Sequence, residues 1–188
     1  MEISSRCIND MKNVLYDRQW TKTAHNFEVY FMHRGVKKKE GLRYDITVIP
    51  NRLLGKEFAK TKGHEHLGNY GELYITLRGR AIYLLQKFRN GKIEDIYAVK
   101  TGKGDVVIIP PKYGHITINP SRKEELKTAN WLDEKSQHVY DVIDKKQGAC
   151  YYYTTDGWVK NKKYKKIPRL RFQKPLKAMP RDLNFLKG

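Results

Sequence analysis

Only two of the 188 residues are cysteine, Cys7 and Cys150, and they stand near opposite ends of the chain. No C-x-x-C pair exists, so there is neither a disulfide framework nor a thiolate zinc site, and both are expected as free thiols. Long apolar runs are also missing. The longest, such as Val106–Ile109, cover four or five residues, and mean hydropathy is -0.74. A membrane-spanning helix of roughly 20 apolar residues is therefore excluded. The start of the chain, Met1-Glu2-Ile3-Ser4-Ser5-Arg6, has no apolar signal segment, so a cytoplasmic protein is expected. Acidic residues are scarce too: 20 against 38 Lys and Arg, for a formal net charge of +18. More than half of that excess lies in Val159–Gly188, which holds eleven Lys and Arg, three prolines and a single acid, Asp182. Apolar runs of helical period are few and no internal repeat is visible.

What the chain does have is short, strand-like runs. Phe27–His33, Arg43–Ile49, Glu72–Leu77, Ala81–Phe88, Ile93–Val99, Val106–Ile109, His115–Asn119, Lys127–Leu132 and Ala149–Thr154 are rich in β-branched and aromatic residues and bounded by Gly, Pro or Asn. Asn90-Gly91 between two of them is a hairpin signal, because a type I′ turn needs positive φ at both central residues. Regular spacing without alternating helices predicts an all-β antiparallel sandwich or barrel. Ser4–Ala24, with Met11, Val14, Leu15 and Trp20 as anchors, reads as a short helix or an extended arm. The expected division is a barrel with its arm over 1–158 and a basic extension over 159–188, wrapping or partly disordered.

The chemistry concentrates in Thr61-Lys62-Gly63-His64-Glu65-His66, then Glu72, then Gly79. In a strand, His64 and His66 point to one face and Glu65 to the other. Glu72 opens the next strand, and His115 heads another beyond the Asn90-Gly91 turn. A lone H-x-H is weak evidence for a metal. Three imidazoles and one carboxylate together form an N/O donor set suited to Fe(II), Mn(II), Ni(II), Co(II) or Zn(II) with positions left for substrate.

The pattern His64-x-His66-x5-Glu72-x6-Gly79, followed by Gly104-x5-Pro110-x4-His115-x3-Asn119, resembles the two metal-binding motifs of the cupin superfamily. Two departures, the five-residue gap before Glu72 and Lys112 in place of a glycine, match one branch, the cupin-type glucose-6-phosphate isomerases of archaea and some bacteria. Arg6–Asp17, Gly55–Phe58, Leu84–Gln86 and His138-x-Tyr140 resemble further segments of that branch, over about Ser4–Trp158.

The resemblance implies a cupin fold, an antiparallel double-stranded β-helix or jelly-roll barrel. It implies one divalent metal per subunit, Fe(II) first, held by His64, His66, Glu72 and His115. It also implies a homodimer, and reversible isomerisation of D-glucose 6-phosphate to D-fructose 6-phosphate. Glu72 is then the proton shuttle, with His138 and Tyr140 serving ring opening or O-proton transfer. Thr47, Thr61, Gly63 and Tyr74 become the phosphate-contacting positions. Leu132 and Phe27 stand where the family carries tyrosines, removing two hydroxyls from the expected pocket wall. Rival readings are a cupin acting on another phosphosugar and a non-catalytic sugar-binding cupin. The basic tail reads chiefly as a solvated or wrapping segment, with substrate steering and nucleic-acid docking as lesser readings.

Overall fold

The computed structural model describes all 188 residues, Met1–Gly188. Its core is two sheets packed face to face, antiparallel apart from one parallel edge strand. The larger runs β1 (Glu2–Cys7), β2 (Glu28–Lys39), β3 (Leu42–Ile49), β12 (Leu126–Asp133), β7 (Glu72–Arg78), β10 (Val106–Ile109). The smaller runs β11 (Gly114–Ile118), β8 (Ala81–Arg89), β9 (Lys92–Thr101), β16 (Arg171–Gln173). Strands distant in sequence are neighbours in space, as in a jelly roll: β12 sits between β3 and β7, and β8 between β9 and β11. Between the sheets, Val29, Tyr30 and Tyr74 from one meet Tyr83, Leu85 and Val99 from the other in a single buried cluster. The all-β cupin architecture expected from the sequence is the one observed.

Two smaller pairings complete the fold. β6 (Glu65–His66) pairs with β13 (His138–Val139), and β4 (Leu53–Leu54), β5 (Glu57–Phe58), β14 (Tyr151–Thr154) and β15 (Gly157–Lys160) form a sheet of four. Asn90 and Gly91 both have positive φ, 50° and 77°, and join β8 to β9 as the turn signal requires. The helices are short: α1 (Ile8–Met11), α2 (Arg18–Thr23) and α3 (Asp141–Lys145). No helix is long and apolar enough to cross a membrane. Both cysteines are unpaired, and burial pushes the Cys150 thiol up to about 12.

The two chain ends behave differently. The arm enters the core: β1 pairs along β2, and Ile8, Met11, Val14 and Leu15 are fully buried. Lys60 Nζ reaches from the barrel to Val14 O at 2.8 Å and pairs with Glu57 at 2.6 Å, while Glu57 accepts from Tyr16 N at 2.9 Å. The basic segment instead runs along the outside. β15 crosses residue 158 without interruption, Tyr164 is buried, and β16 adds to the edge of β9 in parallel. Leu176 then exchanges two 2.9 Å backbone hydrogen bonds with Val106, on the edge of β10. Leu186 ends buried beside Leu42, Leu73 and Val106. Unpaired strand edges invite association with other chains, and this segment covers two of them.

Candidate metal centre and its cleft

The central donors are set by backbone pairing. His64 and His115 exchange N–H···O bonds of 3.3 and 2.9 Å, which places their rings side by side. This approach requires glycine at position 63. Its φ is +86°, and a Cβ there would lie 2.5 Å from Ile116 Cγ1. His66 pairs with His138 across β6 and β13. Glu72, at the start of β7, lies between Leu132 of β12 and Ile109 of β10. The loop before it is the longer version noted in the sequence. It is held at both ends, Leu67 N donating to Gln137 O at 2.9 Å and Gly71 N to Leu186 O at 3.3 Å.

The side chains converge as the spacing predicts. One donor atom from each of His64, His66, Glu72 and His115 lies within 4.8 Å of all the others. Glu72 Oε2 is 3.0 Å from His115 Nε2, 3.2 Å from His66 Nε2 and 3.8 Å from His64 Nε2. It is buried, yet no donor is aimed at it within hydrogen-bonding geometry. A buried carboxylate oxygen facing three ring nitrogens without a proper donor is costly unless a cation lies among them. The donor set therefore fits a divalent metal. Glu65 faces away and pairs with Arg89 at 3.1 Å.

Burial and neighbouring rings tune the group. Burial alone would raise the Glu72 carboxyl, but the adjacent His115 and His66 rings outweigh it and hold it well below the usual range. Burial and His115 push the His64 imidazole well down. His138 stacks on His64 with centroids 3.9 Å apart, and burial lowers it to about 4, so it is neutral at pH 7. Tyr140 Oη is 3.4 Å from His138 Nδ1. Tyr74 Oη is 3.4 Å from His115 Nε2, and burial, then Glu72, push its hydroxyl well above its ordinary value.

Above this floor opens a narrow cleft. Thr47, Thr61, Gly63, Tyr74, His138 and Tyr140 all line it, so every expected substrate-side residue meets one cavity. The Thr61 hydroxyl also accepts from Thr117 N at 3.0 Å. Of the two missing tyrosines, Leu132 does line the cleft. Phe27 does not: it packs on the core under Arg52, whose guanidinium sits 4.7 Å from its ring. The expectation that Phe27 removes a hydroxyl from the wall is therefore corrected. Tyr30, three residues on, supplies a hydroxyl there instead, 3.4 Å from Lys62 N.

Several other residues line the cleft without belonging to any motif. Asn130 Nδ2 donates to Glu72 Oε1 at 2.7 Å, fixing the carboxylate from behind. Arg6, Arg34, Lys62 and Asp45 also line the cleft. Strand alternation held a usable signal, since Tyr30, Met32 and Arg34 share a face at period two.

A protein-family model described as Glucose-6-phosphate isomerase (GPI) matches residues 6–169. The chain belongs to this family. Among curated members, the glucose-6-phosphate isomerase of Pyrococcus furiosus is 30% identical over 174 residues, covering 87% of this chain and 88% of that protein. The enzyme of Thermococcus litoralis is 32% identical over 76% of each chain, and that of Pyrococcus horikoshii 33% over 82% of each. Membership in the glucose-6-phosphate isomerase family thus extends over the arm, the barrel and the start of the basic segment. Among solved structures, a Lactobacillus farciminis oxalate decarboxylase is 18% identical, with a TM-score of 0.47 over 62% of this chain and 33% of that one.

Proposed function

We propose that this protein is a metal-dependent aldose–ketose isomerase that interconverts D-glucose 6-phosphate and D-fructose 6-phosphate. The observation that carries this reading is the convergence of His64, His66, Glu72 and His115 on the floor of a hydroxyl-lined cleft. It occurs in a chain that matches the isomerase family over residues 6–169. These four side chains would hold one divalent cation, Fe(II) by preference. When bound, it supplies Lewis-acid stabilisation of the negative charge that forms as hydrogen moves between C1 and C2.

The protein's own groups do the rest. Glu72 is the proton shuttle in this reading, its Oε1 oriented by the Asn130 amide. His138, neutral at pH 7, can accept a proton from a sugar hydroxyl, and Tyr140 beside it can relay that proton during ring opening. Thr47, Thr61 and Gly63 face the phosphate, and the buried Tyr74 hydroxyl lies nearer the histidines, where the reacting oxygens would sit. Glycolysis and gluconeogenesis in the cytoplasm, and a homodimer, go with this assignment. Leu132 in the cleft favours a second reading, the same chemistry on a different phosphosugar.

A coupled assay on protein loaded with Fe(II) or Mn(II) tests both. Conversion of fructose 6-phosphate that is lost with a chelator and restored by metal supports the first. Turnover confined to another phosphosugar selects the second. Full turnover in chelator, with metal shown absent by elemental analysis, overturns the metal-centred mechanism.

A further inference from the structure

Two acids and three cations line the cleft, and most of them neutralise one another or a near neighbour. Glu72 belongs to the histidine cluster. Lys62 Nζ is held by Asp144 at 3.0 Å. Asp45 takes Arg43 Nε at 3.0 Å on both of its oxygens. Arg6 and Arg34 remain, and neither has a carboxylate within salt-bridge distance. Partly buried guanidinium groups facing a cavity without a counter-charge are costly unless a ligand supplies one.

Arg34 is also deliberately aimed. The β2–β3 register shifts between His33 and Lys37, and Gly35 inside this irregularity has φ +66°. Its N–H donates to Asp45 Oδ1 at 2.7 Å, so the buried Asp45 pins the bulge while Arg43 cancels its charge. Bulges characteristically redirect the side chain beside them. Here that side chain is Arg34, which lies along Met32 with Nη2 3.4 Å from Sδ, on the face that carries Tyr30. Arg6 pairs with Tyr30 across β1 and β2.

We propose that Arg34, directed into the cleft by the Asp45-anchored bulge and assisted by Arg6, is the cation that recognises the phosphate of the substrate. A phosphate dianion presents three acceptor oxygens, and a guanidinium matches two of them at once. The threonine hydroxyls and the backbone at Gly63 alone would leave its charge uncompensated. This rests on the reading that the cleft takes a phosphosugar.

The test compares Arg34→Ala and Arg34→Lys with the wild-type metalloenzyme, using fructose 6-phosphate as substrate and inorganic phosphate as competing ligand. Losing a charge-assisted contact should raise KM, and the inhibition constant of inorganic phosphate, by about tenfold to a hundredfold. The loss should fall on KM more than on kcat, with metal content retained and partial recovery in Arg34→Lys. Unchanged KM and unchanged phosphate inhibition in Arg34→Ala overturn the assignment while leaving the isomerase reading intact. An equal fall in kcat for all substrates, with metal lost, also overturns it, because Arg34 would then support the histidine cluster. If the wild type isomerises nothing, calorimetry with inorganic phosphate still decides the phosphate site: weaker binding in Arg34→Ala supports it and equal binding sinks it.

Discussion

The floor and the mouth of the cleft are built in opposite ways. Floor donors come from the barrel interior, three of the four buried and fixed by backbone pairing: His64 to His115, and Glu72 within β7. Mouth residues come from the arm, from β2, β3, β7 and β12, and from the segments at 61–63 and 138–140, and many remain partly exposed. Position is guaranteed at the floor by the sheet itself, whereas at the mouth it depends on the arm, a bulge and side-chain hydrogen bonds.

The sharpest way to break this contrast is at the floor. His115→Ala or His64→Ala should strip the metal and reduce activity by more than about a hundredfold, since even supporting partners of ligands cost ten- to a hundredfold. Full occupancy of both variants by elemental analysis would remove them as ligands. Gly63→Ala comes next. Its Cβ would collide with Ile116 in a backbone conformation that disfavours side chains, so urea unfolding should show a loss of about 2–4 kcal/mol, with metal affinity falling alongside. An unaltered unfolding midpoint would mean that the Gly63–Ile116 contact relaxes freely. At the mouth, Thr61→Val should leave the metal in place and raise KM for the phosphosugar up to about tenfold. Unchanged steady-state constants would move the phosphate elsewhere.

Two smaller effects refine the comparison. Burial holds His138 at about 4 when folded, below its unfolded value near 6.5. Between those values the unfolded chain binds the extra proton, so metal-stripped protein should lose stability as pH falls from about 6.5 towards 4. His138→Asn should flatten that slope in urea titrations; an identical slope would assign it to other groups. Lys112, standing where the motif has a glycine, keeps the left-handed backbone at φ 67°. Lys112→Gly should therefore stabilise the protein by about 0.5–1 kcal/mol, read as a higher melting temperature.

The same contrast explains what could be read in advance. Period-two spacing determines that His64 and His66 share a face, and it needs no tertiary information. Turn residues such as Asn90-Gly91 likewise declare the hairpin locally. Arg34, Asn130 and Asp45 carry no such mark, because their meaning depends on which strands become neighbours. Asn130 matters only because β12 lies beside β7, and Arg34 only because Asp45 of β3 captures the bulge. Phe27 behaves differently for a related reason: a residue at a strand's entrance can turn into the core, while the next hydroxyl along, Tyr30, faces the cavity. The basic segment concealed its role in another way. Its charges are conspicuous, while its anchors are few and scattered: Tyr164, Leu176 and Leu186.

Those anchors bear on how the protein is made. A ribosome releases residues in order, so His64, His66, Glu72 and His115 all emerge well before Leu186. Yet Leu186, 71 residues beyond His115, carries the carbonyl that holds Gly71 and packs beside Leu73, on either side of Glu72. A nascent or truncated polypeptide would thus own every ligand and still lack the clasp that seats one of them. The four-residue cluster is completed by a distant clasp as well as by its own motif.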